Sequence, residues 1–406
     1  RPARGSALAC GRALLGALVA HAASVPAAEG TGGAIATAES AATQAGLEIL
    51  RAGGNAVDAA VASALALAVV HPEAGNLGGG GFAVIKIGDQ LSSLDFRETA
   101  PAAASRDMFL DEAGSVRPLA SELGPLAVGI PGSPRGLWEL HERLGSMAWP
   151  AVVEPARRLA DEGFTLSART HATLVRKRQD LAAFPETAEL WLRDGEPPAV
   201  GARMRNPALA AALRGYAELG PRALTEGSPA AAIERVTAKY WGVLTRQDLA
   251  AYETQWRPAI RFEVFGWTLA TMDLPASGGI ILGQVLMQLE ALDWQALPRF
   301  GAARWQLLAE ALRRSFADRF LMGDPETTEL DSTTALGPAW LEWRRSTIDP
   351  GRATLSAEVV SEPGAPSAES LETTHLSVID SRGDVVSMTV TLNGSFGCKL
   401  VVPELG

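Results

Sequence analysis

The sequence predicts an α/β protein, because segments with helical spacing of apolar residues are interspersed with segments that alternate in polarity. One helical segment, Ala56–Val70, is apolar on nearly every side and is therefore expected to be buried. The alternating segments form two pairs joined by short turns, residues 82–87 with 91–96 and residues 374–380 with 385–392. These observations predict two β-hairpins and a buried helix.

Composition narrows the class of protein. Hydrophobic residues make up 47% of the 406 residues and charged residues 20%, which is typical of a globular protein with a large core. The net charge of -10 argues against non-specific binding to nucleic acid or to an anionic membrane. With two cysteines and no metal-ligand spacing among the five histidines, we expect no disulfide framework and no metal.

The second hairpin places hydroxyl side chains on neighbouring strands. Its three-residue turn ends in Gly383, where a left-handed residue is wanted. If Asp380 pairs with Asp384, the register carries back so that Thr373 faces Thr391. This arrangement indicates a candidate nucleophile with a hydrogen-bonding neighbour. The alternative is an ordinary half-buried sheet edge, because threonine is a common strand residue.

The residues of this hairpin resemble a known cleavage site. The sequence TTHLSVID at 373–380, with TLN at 391–393 and FG at 396–397, is similar to the autocleavage site of the γ-glutamyltranspeptidases. These enzymes are N-terminal-nucleophile hydrolases, also called glutathione hydrolases. The resemblance extends from about residue 33 to 402, and it implies the four-layer α/β/β/α sandwich of such hydrolases. Segments similar to the family's large subunit are residues 41–58, 75–101, 129–136, 149–167, 277–279 and 311–325.

The resemblance also implies the residues of the catalytic centre. The chain would cleave itself between Glu372 and Thr373, which makes Thr373 the N-terminal nucleophile. Thr391 would hold the Thr373 hydroxyl by a hydrogen bond, and Asn393 would contact the amino-acid end of the substrate. Alternation of polarity alone does not choose between Thr373 and Thr374.

Arg97 stands at the end of a predicted strand, within the sequence DFRETAP. The resemblance implies that it binds the substrate carboxylate, for which a planar guanidinium is suited. A salt bridge to Asp95 or Glu98 is the alternative. For His375 we expect a packed, hydrogen-bonded strand residue, because the family's mechanism needs no histidine base.

The implied reaction is transfer of a γ-glutamyl group from glutathione or another γ-glutamyl amide. Water or an amino-acid or dipeptide acceptor would take the group from an acyl-enzyme, and no cofactor is required. The nearest enzymatic alternative is a glutaryl-cephalosporin acylase with the same scaffold and mechanism. An inactive, uncleaved scaffold protein is the alternative from another class.

The amino-terminal residues resemble an export leader. Three arginines precede an apolar run at residues 13–20, and small residues follow. We therefore predict a leader at residues 1–29 and a periplasmic or secreted protein; a disordered Ala-rich tail is the alternative. No segment has the ~20 apolar residues needed for a stable membrane span.

The same resemblance divides the rest of the chain into two subunits of one precursor. Residues 30–372 would form the large subunit, and residues 373–406 would begin the small, catalytic subunit. After Gly397 the sequence departs from the family. The family's later site residues, which are an acidic residue, a serine pair and a glycine pair, have no counterpart in this sequence. We therefore expect a sandwich truncated in its C-terminal part, with a hairpin whose apolar face lacks partners: Val386, Met388, Val390 and Leu392.

Three further segments complete the expectations. The glycine-rich residues 75–82 lack the ending of a phosphate-binding loop, so we expect their glycines to allow close backbone packing against the sheet. Residues 262–272 are predicted to form a strand. Residues 323–364 are rich in Pro, Gly, Ser and Thr and are predicted to form a surface loop.

Overall fold

The strands that alternation predicts are present in the computed structural model, which describes residues 30–359 and 373–406. The predicted leader, residues 1–29, and Glu372 lie outside the described residues. The strands are β1 (Gly33–Ala36), β2 (Gly80–Ile87), β3 (Gln90–Asp95), β4 (Phe164–Thr165), β5 (Arg203–Met204), β6 (Gln255–Arg257), β7 (Ile260–Val264), β8 (Trp267–Thr271), β9 (Thr373–Asp380) and β10 (Val385–Thr391).

Helices account for most of the remaining described residues. They are α1 (Ser40–Arg51), α2 (Ala56–Val70), α3 (Ser133–Leu144), α4 (Trp149–Glu162), α5 (Ala168–Ala182), α6 (Pro185–Trp191), α7 (Pro207–Leu219), α8 (Arg222–Thr225), α9 (Gly227–Lys239), α10 (Arg246–Ala251), α11 (Gly278–Ala291), α12 (Ala302–Asp318), α13 (Ser332–Ala335), α14 (Pro338–Ser346) and α15 (Ser356–Val359). Within the described ranges, no helix combines the length and apolar character that crossing a bilayer would require.

Six strands form one antiparallel sheet in the order β1-β9-β10-β2-β3-β6. The hairpin β9–β10 is therefore central, with β1 on one side and β2 on the other. The expectation that its apolar face lacks partners is wrong, because Val386 and Met388 are fully buried and Val390 is 1% exposed. These side chains are buried by residues distant in sequence, and the local spacing of apolar residues does not reveal such neighbours.

Helix α2 forms the centre of the core. Asn55 caps its first turn by accepting hydrogen bonds from the backbone N–H groups of Val57 and Asp58, each at 2.9 Å. The helix packs on β9 and β10 with one side and on α1, α3 and α4 with the others. Because neighbours surround it, its small apolar side chains are almost all buried, as the sequence predicted.

The two faces of the central sheet have different environments. Along β9, every second residue is buried against the core, whereas Thr373, His375, Ser377 and Ile379 are exposed on the opposite face. A strand that alternates in this way has one face on the core and one open. The candidate nucleophile lies on the open face.

A further group of elements, β7, β8 and helices α11 to α14, surrounds smaller apolar clusters. Residues 262–272 form a hairpin rather than one strand, because Phe265 and Gly266 both adopt positive φ and reverse the chain. The prediction of a surface loop at 323–364 is wrong for much of this range, which contains α13, α14 and α15, because Leu330 and Ala335 are buried in one of these clusters. Its final residues, 360–364, are outside the described part.

Candidate active site

The register of the central hairpin brings the two predicted threonines together. Thr373 pairs with Thr391, and the backbone N–H of Asp380 donates to the carbonyl of Asp384 at 3.0 Å. Gly383 has φ 79°, the left-handed conformation expected of the turn. The predicted register is confirmed.

The hydroxyl groups of Thr373 and Thr391 are within hydrogen-bonding distance, with Oγ1 atoms 3.2 Å apart. The Oγ1 of Thr391 also accepts a hydrogen bond from the backbone N–H of Asn393 at 2.9 Å. Asn393 reaches this position because its φ of 65° turns the chain immediately after β10. Thr391 is thus held from two sides, while Thr373 is exposed at the start of its strand.

Thr374 has a different environment from Thr373. It faces the core and is 2% exposed, and its hydroxyl has no hydrogen-bond partner among the described residues. A nucleophile must be reachable by substrate, which Thr373 satisfies and Thr374 does not. Burial therefore favours Thr373 where alternation left the choice open.

Arg97 lies in line with this pair across the sheet. Thr391 pairs with Gly80, and the exchange of backbone hydrogen bonds between Gly81 and Phe96 places Gly80 opposite Arg97. The row therefore runs Thr373, Thr391, Gly80, Arg97. With strands ~4.8 Å apart, the backbones of Thr373 and Arg97 are about 14 Å apart.

The position of Arg97 is fixed mainly through its backbone. Its N–H donates to Asp95 Oδ1 at 3.0 Å, and its carbonyl accepts from the Tyr252 hydroxyl at 2.7 Å. Burial, together with the nearby carboxylates of Asp95 and Glu98, raises the pKa of Tyr252, so this hydroxyl remains a donor. The guanidinium lies over the Phe82 ring, 5.9 Å from its centre, and Arg97 lines a cavity.

That cavity has a volume of about 730 Å³ and is lined by both predicted substrate-binding residues, Arg97 and Asn393. Its remaining wall is largely apolar and includes Leu77, Leu392 and Phe396. Thr373 is not one of the lining residues, so the structure brings Arg97 and Asn393 to one cavity and leaves Thr373 beyond its wall. Arg97 also lines a second cavity of about 970 Å³, with a more charged wall.

The glycine-rich segment packs closely against β10 on one side and against the residues that follow β3 on the other. A Cβ atom on Gly79 would lie 2.3 Å from the Thr391 carbonyl oxygen, and one on Gly81 would lie 2.2 Å from that of Thr389. A Cβ on Gly80 would lie 2.5 Å from the carbonyl oxygen of Phe96. The prediction that these glycines allow close backbone packing is confirmed.

Asn76, within the same segment, was missed by the sequence analysis. It is 5% exposed, and its Nδ2 donates to the Thr391 carbonyl at 2.9 Å. Its Oδ1 accepts from the Gly79 N–H at 3.0 Å and from the Ser133 hydroxyl at 2.6 Å. The only local indication in the sequence is a polar residue inside an apolar, glycine-rich run.

His375 is a hydrogen-bonded strand residue, as predicted. Its Nδ1 lies 2.8 Å from the Thr389 hydroxyl, and its Nε2 lies 3.2 Å from Ser377 Oγ and 3.3 Å from Ser387 Oγ. Partial burial lowers the pKa of His375 from its ordinary value of 6.5, which favours the neutral ring. Within the described ranges, no group of three His, Cys, Asp or Glu side chains is arranged to hold a metal ion.

Solved structures share the fold of this chain. The crystal structure of γ-glutamyltranspeptidase from Helicobacter pylori aligns with a TM-score of 0.79 and 33% identity. The alignment covers 84% of this chain and 99% of that one. The fold is that of the N-terminal-nucleophile hydrolases, and the predicted fold class is confirmed.

Sequence comparison identifies the family within this class. A sequence model of the gamma-glutamyltranspeptidase family matches residues 42–406. The chain is 38% identical over 394 residues to the glutathione hydrolase proenzyme of Pseudomonas aeruginosa, and 38% identical over 377 residues to that of Escherichia coli. The chain belongs to the γ-glutamyltranspeptidase family.

The alignments cover nearly all of this chain but a smaller share of each relative. The alignments include 96% and 92% of this chain but 69% and 65% of the two relatives. An acylase ACY 1 proenzyme from Pseudomonas sp. is 34% identical over 387 residues, with 93% of this chain and 68% of the relative covered. The chain thus spans about two thirds of the length of the curated relatives it matches.

Proposed function

We propose that the protein is an autoprocessing γ-glutamyltransferase and glutathione hydrolase that uses Thr373 as its nucleophile. The observation that carries the proposal is the pair of hydroxyl groups of Thr373 and Thr391, 3.2 Å apart on the open face of the sheet. The family membership and the word "proenzyme" in the names of the relatives support it.

The first step in this proposal is cleavage of the precursor. The Oγ1 of Thr373 attacks the carbonyl of Glu372, the peptide becomes an ester through an N-to-O acyl shift, and water hydrolyses that ester. The chain is then divided into a large subunit, residues 30–372, and a small subunit that begins at Thr373. The new α-amino group serves as the base for later turnover, since free α-amino groups have a reference pKa of ~8.

In turnover, Thr373 Oγ1 attacks the γ-carbonyl of the donor and forms an acyl-enzyme. The Thr391 hydroxyl accepts a hydrogen bond from the Asn393 N–H, so its own proton is free to be donated to Thr373 Oγ1. This bond would orient the nucleophile and stabilise the charge that develops on it. Water or an amino-acid or dipeptide acceptor then releases the γ-glutamyl group.

Arg97 and Asn393 would bind the α-carboxylate and the amino-acid end of the donor. Both line the cavity of about 730 Å³. The donor would extend along the row of residues across the sheet, because Gly80 provides no side chain between Thr391 and Arg97.

A glutaryl-cephalosporin acylase is the second candidate function, because an acylase proenzyme is among the relatives. The two reactions differ in the acyl group: a glutaryl donor lacks the α-amino group of a γ-glutamyl donor. The purified full-length protein should be assayed with a γ-glutamyl anilide and a glutaryl amide. A higher kcat/KM for the anilide supports the transferase, and the reverse order supports the acylase.

An inactive scaffold is distinguished from both enzymes on one denaturing gel. We expect two bands from the wild-type precursor and one from Thr373→Ala. A single band from the wild type, with no turnover of either substrate, would overturn the proposal. The leader pattern at residues 1–29 further supports export to the periplasm or outside the cell, which fractionation of expressing cells tests.

A further inference from the structure

Asn76 connects three parts of the chain at the end of strand β10. Its side-chain amide donates to the carbonyls of Thr391 and Ala74, at 2.9 and 3.0 Å. Its oxygen accepts from the Gly79 N–H and the Ser133 hydroxyl. The loop after α2, the first turn of α3 and the end of β10 therefore meet at this one residue.

The contact with Thr391 bears on the orientation of its hydroxyl. Thr391 is the last residue of β10, and its carbonyl belongs to the peptide that leads into the turn at Asn393. That turn returns the Asn393 N–H to Thr391 Oγ1. Fixing the carbonyl thus fixes both the Cα–Cβ direction of Thr391 and the donor that holds its hydroxyl.

The chemistry of the position suits an amide. An amide side chain has two donor hydrogens and an accepting oxygen, and Asn76 uses both functions while 5% exposed. An ionised aspartate has no donor for Thr391 or Ala74, and its charge would face two carbonyl oxygens. An alanine would leave the same carbonyl groups and the Ser133 hydroxyl without this partner.

We propose that Asn76 is a positioning residue for catalysis: it orients Thr391, and through Thr391 the Thr373 nucleophile. Asn76 also lines the cavity of about 730 Å³, but the side-chain hydrogen bonds described for it are all made to other residues of the chain. The inference rests on the proposed function, because the effect it predicts is on self-cleavage and turnover. Misplacing a reacting group by about 1 Å can cost on the order of 10²-fold in rate, so a loss at this residue should be measurable.

Asn55 provides a matched control within the same protein. It is also a buried asparagine, 6% exposed, and lies at the opposite end of α2. Its amide donates to the Leu144 carbonyl at 2.7 Å, and its oxygen accepts from two backbone N–H groups. Asn55→Ala should therefore lower the stability of the fold for the same reason as Asn76→Ala, namely the loss of buried amide hydrogen bonds, without altering the catalytic residues.

The test compares Asn76→Ala and Asn55→Ala in the full-length precursor, well below the unfolding temperature of each. We expect Asn76→Ala to lower kcat for a γ-glutamyl anilide by at least about tenfold and to slow self-cleavage, with KM changed by less than about threefold. For Asn55→Ala we expect kcat within about threefold of wild type. Equal kcat in the two variants would overturn the inference.

A double-mutant cycle separates positioning from a general loss of stability. If Asn76 acts through Thr391, Asn76→Ala should cost much less in a Thr391→Val background than in the wild type. Additive effects would contradict the inference. If Asn76→Ala does not fold, Asn76→Asp and Ser133→Ala replace it: a lower kcat in a folded variant supports the inference, and unchanged kcat in both overturns it.

The outcome also distinguishes this inference from the proposed function. An active wild type with an unaffected Asn76→Ala removes the inference and leaves the function standing. A wild type that neither cleaves nor turns over the anilide removes the proposed function, and the inference with it.

Discussion

The carboxylate of Asp95 accepts hydrogen bonds from the guanidinium of Arg257, whose Nε and Nη2 lie 3.3 and 3.2 Å from Asp95 Oδ2. The neighbouring Arg97 uses only its backbone N–H toward Asp95. Among the described residues, no carboxylate forms a salt bridge with the Arg97 side chain. The guanidinium of Arg97 is therefore available for the carboxylate of a ligand.

Arg97→Ala should lower kcat/KM for a γ-glutamyl anilide by about 30- to 1000-fold. Losing a buried, hydrogen-bonded charge contact costs on the order of 2–4 kcal/mol, and each 1.36 kcal/mol is tenfold in rate. Self-cleavage should persist, because Arg97 takes no part in it. Steady-state kinetics and a denaturing gel measure the two effects.

Arg135→Ala is the matched control for that substitution. Arg135 pairs with Glu139 one helical turn away on the surface of α3, and exposed pairs of this kind contribute ~0–1 kcal/mol. Its kinetics should equal those of the wild type. Normal turnover by Arg97→Ala would instead assign Arg97 a structural role.

Thr391→Val should reduce kcat by about tenfold and slow self-cleavage. Valine retains the shape of threonine but removes the hydroxyl that contacts Thr373. A hydrogen bond to an oxygen that develops charge is worth ~1.5 kcal/mol or more, which corresponds to about tenfold or more in rate. Thr391→Ser should restore most of the rate. Thr389→Val, on the same strand, is the control. An equal loss of kcat in that variant would show that the effect does not depend on the hydrogen bond between Thr373 and Thr391.

The parts of the fold that were predicted depend on local patterns. Helix α2 has the predicted bounds, and the β9–β10 register follows from a turn whose length and Gly383 constrain it. The neighbours of this hairpin, β1 and β2, were not predictable from spacing, because they are separated from β9 by hundreds of residues. For that reason the burial of Val386 was missed.

The residues of the candidate site also divide into those that the sequence predicted and those that only the structure reveals. Resemblance supplied Thr373, Thr391, Arg97 and Asn393, and the register placed the first two together. Asn76 was missed because its role depends on the backbone of Thr391, 315 residues away, and no residue type identifies such a contact. Specific side-chain contacts between distant segments require the three-dimensional structure.

Gly81→Ala should destabilise the folded chain by about 1–3 kcal/mol, since overpacking in a closely packed interior forces the backbone to shift. The added Cβ would lie 2.2 Å from the Thr389 carbonyl oxygen and 2.9 Å from the Phe96 ring. Gly78→Ala is the control, because a Cβ there meets nothing within 4 Å. Denaturant unfolding of both in the uncleaved Thr373→Ala background gives the comparison; equal stability would contradict the packing account.

His375→Gln should leave turnover within about threefold of wild type at pH 8, because the proposed base is the α-amino group of Thr373. A loss of a hundredfold or more in kcat would instead place His375 in the chemistry. Gln retains hydrogen-bonding capacity toward Thr389, which keeps the comparison free of a large packing change.

The same substitution should alter how stability depends on pH. Because partial burial lowers the pKa of His375 in the folded state, the unfolded state binds the proton more readily. The contribution of His375 to the free energy of unfolding is therefore present above the ordinary value of 6.5, and it is lost as the pH falls through the lower folded-state pKa. His375→Gln should weaken the dependence of the free energy of unfolding on pH in this range, as denaturant titrations between about pH 5 and 8 would measure.

The central claim is that Thr373 becomes a chain terminus and acts as the nucleophile, and amino-terminal sequencing of the small fragment tests it most directly. We expect the wild-type precursor to yield a fragment that begins at Thr373. Thr373→Ala should stay uncleaved, whereas Thr374→Val should cleave at the same bond, since the Thr374 hydroxyl is buried without a partner. A fragment that begins at any other residue, or cleavage of Thr373→Ala, would contradict the account.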